Sequence, residues 1–598
     1  MGSLRLLRAD LRSIGESITS KARKHLLMPL QSIDAGDDDS HGPISVRRNI
    51  TVPMRDGVRL YADVYMPKPE GKYPTILTRL PYGKSEYGSW SPVYGRFWAR
   101  RGYAFVVQDV RGKFKSNGVW KPFVNEVDDG YDTIEWISKQ PWCDGNIGAI
   151  GESYLGYTCW AAGLSGHPSL KCISPGMTAT DVYGIWAYRN GAFCIETAGS
   201  WLIAEESRKY QNSHRLDYWT LPLESLGDSA GLRSSHYKQW LSHPRRDSYW
   251  DRIDLSCRIR DIAIPVLHTG GWLDVFLDGT LGDWERANAA SNRDAASRQW
   301  LVIGPNDHSS NTNAVRRAGR VNLGPPEPDR LYAASRDFFD HWLKGTDNGF
   351  GSSPRIKYFT IGENSWRTSD VWPPKSIRPT DMYLHSSGKA NSLDGDGTLS
   401  TDSPEGESAD EYTYDPKCPA TWSLESDMWN VAMCQHDRRS VEKRNDVLVY
   451  STPRLRRDLE LTGPITATLF ASTSAEDTDF MVAVVDVFPD GYAQMIQEGV
   501  VRASYRQSDR KASQVPKGAI QEYTIGLRAT SYVVKEQHRI RAEVTSSDFN
   551  RYSRNLNTGE DPRSGTRTEI AKQRILHDRN HPSKVTISVI GDLEGAFR

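Results

Sequence analysis

Neither sign of charge prevails in this chain of 598 residues, where 75 Lys and Arg stand against 75 Asp and Glu. Proteins that coat phosphate backbones or anionic lipid carry a basic excess, so no nucleic-acid partner is expected. Long hydrophobic runs are missing too. The mean hydropathy is −0.59 and no apolar stretch reaches the roughly 18 residues of a spanning helix, so no integral membrane segment is expected. Cysteine is scarce: Cys143, Cys159, Cys172, Cys194, Cys257, Cys418 and Cys434 include no CxxC pair, which removes zinc ribbons and dithiol redox motifs. A sparse, odd set fits free thiols in a reducing compartment, so the cytoplasm is the expected location. HExxH, P-loop and dinucleotide fingerprints are absent, and no metal, nucleotide or other cofactor is expected. What is present suffices for folded cores, with 38% hydrophobic and 10% aromatic residues. A chain well past about 250–300 residues divides into several domains.

The first 30 residues lack the apolar segment of a signal peptide, and Leu6 stands where a myristoylation signal requires Ser or Thr. Leu4, Leu7, Leu11, Ile14 and Ile18 recur at helical spacing among Arg5, Arg8, Arg12, Lys21 and Arg23. This pattern suits an N-terminal docking helix, or a transit or membrane-surface helix; Asp10 and Glu16 favour docking. The sequon Asn49-Ile50-Thr51 has no use in the cytoplasm.

From Ile50 onward, short apolar runs alternate with helical patterns. Runs 59–67, 73–80, 103–110, 147–151 and 170–176 read as strands, and 130–140 and 154–163 as helices. Such alternation implies parallel βαβ units. Residues 177–256, rich in Trp, Tyr, Ser and Arg, break the rhythm as an inserted helical cap, after which strands at 264–271 and 300–305 and a helix at 332–345 resume it. From about Arg355 the chain is strand-dominated, as in a β-sandwich, and its Ser/Asp/Gly-rich stretch 386–412 reads as a long surface loop. The expected division is an N-terminal extension (1–45), a core (46–176), a cap (177–256), the rest of the core (257–354) and a C-terminal β-sandwich (355–598). The fold class is α/β.

The strongest chemical motif is Gly151-Glu152-Ser153-Tyr154-Leu155-Gly156, between an apolar strand and a helix. A serine on such a tight turn presents its hydroxyl and places the next backbone N–H, that of Tyr154, at a developing oxyanion. The bland alternative is a glycine-rich turn with a capping serine. A nucleophilic serine needs a base, and the base an orienting acid, in the order Ser, acid, His in α/β-hydrolases. Asp274, after IPVLHTGGWL, and His308, after WLVIGPND, supply them in that order. Asp278 rivals Asp274 as the acid, and Asp307 is a weaker alternative contact for His308.

Motifs along most of the chain carry a resemblance. MRDGVRLYADVYMP (54–67), LPYGKS (80–85), QDVRGKFKSNG (108–118), QPWCDGNIGAIGESYLG (140–156), GGWLDVF (270–276), LVIGPNDH (301–308), DTDFMVAVVDVFPDG (477–491) and HRIRAEVTSSDF (538–549) are similar to the cocaine-esterase/X-prolyl dipeptidyl aminopeptidase group of serine hydrolases (CocE/NonD). The resemblance covers about residue 45 to the end. It implies an α/β-hydrolase core, an inserted helical cap and a C-terminal jelly-roll. It also implies Ser153 as nucleophile, Asp274 as acid, His308 as base, and Tyr82 as the phenol completing the oxyanion hole with the Tyr154 N–H. The family usually has an aromatic two residues before the histidine. Asn306 stands there, which leads us to expect a smaller, more polar pocket wall. Asp109-Val110-Arg111-Gly112 is a family signature with a structural role. The cap tryptophans and tyrosines (Trp186, Tyr188, Trp201, Trp219, Trp240, Trp250) pack the cap or line an acyl pocket.

The expected activity is hydrolysis of a small-molecule ester or amide through an acyl-enzyme on Ser153. Alternatives are acyl transfer or cyclisation, X-prolyl dipeptidyl peptidase or α-amino-acid ester hydrolase activity with Glu152 or Glu205 capturing a free amine, and a non-catalytic binding scaffold. A homo-oligomer is compatible with the sequence.

Overall fold

The computed structural model describes residues 43–67, 71–85, 90–290, 292–309, 316–324, 330–406, 409–421, 429, 436–591 and 593–597. The amphipathic N-terminal stretch and Cys434 lie outside them.

The first sheet has ten strands: β1 (Ser45–Pro53), β2 (Arg59–Met66), β3 (Tyr73–Leu80), β4 (Ala104–Asp109), β5 (Cys143–Glu152), β6 (Leu170–Gly176), β7 (Val266–Gly271), β8 (Gln299–Gly304), β9 (Ile356–Thr360) and β10 (Ser365–Ser369). Their spatial order is β1-β2-β4-β3-β5-β6-β7-β8-β9-β10. Strands β4, β3 and β5 through β9 pair in parallel, whereas β1, β2 and β10 join antiparallel at the edges. The central strands are buried on both faces, which explains why YPTILTRL and AFVVQD read as apolar runs without strict alternation. Five helices cover the sheet: α1 (Trp90–Arg100), α2 (Glu126–Ser138), α3 (Tyr154–Leu164), α4 (Leu277–Asn288) and α5 (Arg330–Lys344). Ile134 and Ile137 of α2, Trp160 of α3 and Ala287 of α4 pack on one face; Phe97 and Trp98 of α1 and Phe338, Phe339 and Leu343 of α5 pack on the other. Helix α3 is apolar all round because it is enclosed, with Tyr154, Tyr157, Cys159 and Trp160 buried.

Between β6 and β7, short helical segments (among them Val182–Ala187, Ser200–Glu205 and Ser235–Leu241) form the cap. Its rings share one cluster with Met481, Met495 and Val500 of the C-terminal half, so the cap is wedged between the two sheets. Trp240 and Trp250 are fully buried inside it.

The C-terminal half forms a twelve-stranded β domain. Its long strand β11 (Leu459–Thr473) pairs antiparallel with β14 (Gln521–Val534), and β12 (Asp479–Val487) lies between β13 (Ala493–Arg502) and β15 (Arg539–Thr545). Two stretches of the C-terminal part differ from their reading. Strands β9 and β10 extend the first sheet to Ser369, so RIKYFTIG, read among the strands of the sandwich, pairs instead with the first sheet; strand periodicity shows that it is a strand but not which sheet it joins. The stretch 386–412 is also not one surface loop. It contains strand Thr398–Ser400 and the start of strand Asp410–Tyr414, and the fully buried Asp410 accepts hydrogen bonds from Ser386 (2.7 Å) and Tyr450 (2.7 Å). Among the described residues, no helix is long and apolar enough to cross a membrane.

Candidate active site

The carboxyl ends of β3, β5, β7 and β8 carry the four residues singled out above. Ser153 caps α3 directly after β5 with φ 60° and ψ −127°, a conformation that side chains other than glycine adopt only under constraint, at a cost of about 1–3 kcal/mol. The constraint is visible. The Ser153 N–H donates to Gly176 O (3.1 Å), and its carbonyl accepts from Tyr157 N (3.0 Å) and Thr178 Oγ1 (2.7 Å). The glycines permit the turn: a Cβ on Gly151 would stand 2.4 Å from the Leu155 backbone, and one on Gly156 would stand 2.8 Å from Gly176 O. The second glycine therefore falls at Gly156 because that is where the helix meets the end of β6.

Asp274 lies in the loop after β7, fully buried, and its Oδ1 is 2.8 Å from His308 Nδ1, on the loop after β8. A carboxylate only accepts, so Nδ1 carries the proton and Nε2 presents its lone pair. Asp278 does not compete, since it pairs with Arg189 at 2.8 Å. Asp307 is buried and does not take the imidazole Nδ1. The Ser153 hydroxyl is not hydrogen-bonded to the imidazole among the bonds the described residues make.

Tyr82 sits on the turn after β3. Its hydroxyl accepts from Trp201 Nε1 of the cap at 3.2 Å. The next residues are anchored by the signature aspartate: Asp109 Oδ1 accepts from Lys84 N at 2.7 Å. Burial pushes the Asp109 carboxyl up to about 6, against the pull of Lys84. Tyr154 is fixed from below, its phenol donating to Glu126 Oε1 (2.8 Å), which pairs with Arg79 (3.0 Å). Burial drives that phenol well above its ordinary value, so it stays neutral and the Tyr154 backbone N–H is held at the helix N-terminus.

Ring contacts connect the two halves of the site. Tyr154 lies 5.9 Å from Trp201, Trp201 5.6 Å from Trp186, Trp186 4.2 Å from Phe276, and Phe276 5.1 Å from His308. His308 also meets Trp429 at 4.9 Å, whose ring stands 6.2 Å from that of Phe276, and Trp429 O accepts from Ser309 N (2.9 Å). Sequence reasoning missed Trp429, which comes from the C-terminal half in a stretch without periodicity. Aromatic rings thus flank His308, where the smaller, more polar surround expected from Asn306 is not found. Asn306 instead braces the loop: its carbonyl accepts from Leu273 N (3.0 Å), and its side chain folds toward Gly304. The proposed amine anchor Glu205 is already neutralised by Lys113 at 2.8 Å, and Glu152 is half-buried beside the elbow. Among the described residues, no group of three or more His, Cys, Asp or Glu is arranged to hold a metal ion.

Fold and site together define a serine hydrolase of the α/β-hydrolase class with an appended β domain. The X-Pro dipeptidyl-peptidase (S15) family matches residues 56–310, and the X-Pro dipeptidyl-peptidase C-terminal non-catalytic domain matches 348–586. The cocaine esterase of Rhodococcus sp. (strain MB1 Bresler) is 38% identical over 581 residues, spanning 92% of this chain and 99% of that protein. An aminopeptidase structure from the marine sediment archaeon Thaumarchaeota archaeon superposes with a TM-score of 0.81 at 26% identity, covering 93% of this chain and 99% of that one. An α-amino acid ester hydrolase shares the fold, with a TM-score of 0.81 at 24% identity over 92% of this chain and 98% of that one. The chain belongs to the X-Pro dipeptidyl-peptidase (S15) family, alongside cocaine esterase, and is a serine hydrolase.

Proposed function

We propose that this enzyme hydrolyses carboxylic esters of small neutral molecules through an acyl-enzyme on Ser153, preferring acyl groups of aromatic size. The observation that carries the reading is the 2.8 Å hydrogen bond between the fully buried Asp274 and the partly buried His308, borne at the same edge of the sheet as the strained Ser153 turn. His308 Nε2 takes the proton as Ser153 Oγ attacks the ester carbonyl, and returns it to the departing alkoxide. Such contacts often close only in the substrate complex. The Tyr82 hydroxyl and the Tyr154 N–H hold the oxyanion, each such donor being worth about 10²–10³-fold in rate. Water, activated by the same imidazole, then releases the acid.

The aromatic surround of Trp186, Trp201, Phe276 and Trp429 supports the acyl preference, and similarity to a protein named cocaine esterase supports ester hydrolysis. The Lys113–Glu205 pair argues against capture of a free α-amine. A reducing, cytoplasmic setting accords with Cys143, Cys159, Cys172, Cys194, Cys257 and Cys418, all free thiols. A panel of benzoyl, acetyl and aminoacyl esters tests the reading, with water and added alcohol or amine in competition. Benzoyl esters are expected to give the highest kcat/KM, with the free acid as main product. An aminoacyl preference, or a dominant transfer product, would overturn it.

A further inference from the structure

We infer that the β domain supplies positioning residues for catalysis: Arg528 and Gln497 hold the loop that presents Asp274. This inference rests on the assignment of Asp274 as the acid. Asp274 poses a problem that its own loop does not solve. Its carboxylate is fully buried, Oδ1 is engaged by His308, and Oδ2 has no hydrogen-bond donor among the described residues. A buried carboxylate oxygen without a donor favours any movement that would hydrate it, so the backbone around it must be held from outside.

Three carbonyls of the loop accept side-chain donors from other parts of the chain. Gln497 Nε2, on β13, donates to Trp272 O at 3.1 Å and reaches Ala529 O at 2.9 Å. Arg528 Nη1, on the neighbouring β14, donates to Asp274 O itself at 3.1 Å. Arg189 of the cap donates to Val275 O at 2.7 Å. Two of the three holders thus belong to the domain matched as non-catalytic.

The arginine is costly to keep there. Burial, reinforced by nearby Arg551, lowers its guanidinium below the ordinary value. Glu498 compensates, pairing with Arg528 at 3.2 Å and with Arg551 at 2.5 Å. A cavity of about 20 Å³, lined by Trp272, Leu273, Gln497, Glu498 and Arg528 among others, adjoins the contact and has room for about one water. A charged donor bonded to a carbonyl in this buried setting is roughly twice as strong as a neutral one. The hydrogen bond fixes the main chain of the residue that must orient the imidazole, and displacement of about 1 Å in such a group costs ~10²-fold in rate.

The test compares Arg528→Met, Arg528→Lys and Gln497→Met with Asp274→Asn, using a benzoyl ester. Rates are expressed per active site, counted by fluorophosphonate titration, with thermal unfolding as a check on folding. Arg528→Met is expected to lower kcat per titrated site by about 10–100-fold with KM nearly unchanged. Arg528→Lys, which keeps one charged donor, should recover part of the loss, and Gln497→Met should lose about 3–10-fold. Asp274→Asn should fall further than any of them. If Asp274→Asn is crippled while the Met variants keep wild-type kcat per titrated site, the inference is wrong, even where the titratable fraction or melting temperature drops. If Asp274→Asn keeps the wild-type rate, the acid assignment itself fails.

Discussion

The hydrogen bond from Trp201 to Tyr82 makes a specific prediction about how the oxyanion hole is tuned. An indole N–H only donates, so at 3.2 Å the Tyr82 oxygen is the acceptor and its own O–H keeps its role as a donor. Removing the hydroxyl in Tyr82→Phe deletes one of two oxyanion donors and is expected to lower kcat about 10²–10³-fold, or about 2.7–4 kcal/mol. Trp201→Phe keeps ring packing in a residue only 8% exposed and removes just the group that orients the hydroxyl. A neutral hydrogen bond is worth about 0.5–1.5 kcal/mol net, which corresponds to roughly 2–12-fold in rate. Because Trp201 acts through Tyr82, the effects should not add: Tyr82→Phe/Trp201→Phe should match Tyr82→Phe alone within about twofold. Single-turnover acylation of a benzoyl ester by the four proteins measures this cycle. Full additivity, or a Trp201→Phe loss as large as that of Tyr82→Phe, would refute the reasoning.

Two other expectations concern the pocket and the junction of cap and core. Trp429→Ala removes the ring 4.9 Å from His308, so KM for benzoyl esters should rise about tenfold while acetyl esters change little; an equal rise for both would contradict an acyl-recognition role. Asp283, buried at the foot of the cap where it accepts from Thr180 N (3.1 Å) and Thr180 Oγ1 (2.5 Å), has its carboxyl pushed up by burial to about 7 from an ordinary 3.8. Between about pH 4 and 7 the folded form retains a proton that the unfolded chain has released, so this group makes stability fall as pH rises, by at most about 1.4 kcal/mol per unit of separation. The stability of wild type relative to Asp283→Asn, from urea unfolding, should therefore be lower at pH 8 than at pH 5, and an unchanged difference would refute the assignment.

Much of the site was legible because its residues sit in turns whose chemistry is local. Ser153, Asp274 and His308 each follow an apolar run at the end of a strand, and their order along the chain suggested roles that the 2.8 Å contact between Asp274 and His308 accords with. The parts that were not legible depend on long-range packing. Trp429 reaches His308 from 121 residues further along the chain (429 − 308), and no periodicity marks it. Asn306 looked like a pocket wall because sequence gives proximity to the histidine but not direction; its carbonyl instead serves the acid loop. The same limit placed β9 in the wrong sheet, since Ile356–Tyr358 find their partners in Leu301–Ile303 of β8. Asp410 was hidden in a polar stretch because its partners, Ser386, Tyr450 and His577, lie on other segments.

The central claim is that Ser153 is the nucleophile, and covalent labelling tests it most directly. Incubation with a fluorophosphonate followed by intact-mass and peptide mapping should place one adduct on the peptide carrying Ser153, in step with loss of ester hydrolysis. Ser153→Ala, folded as judged by its melting temperature, should take no label and lose turnover. An adduct on another serine, or a Ser153→Ala enzyme that labels and turns over like wild type, would contradict the account.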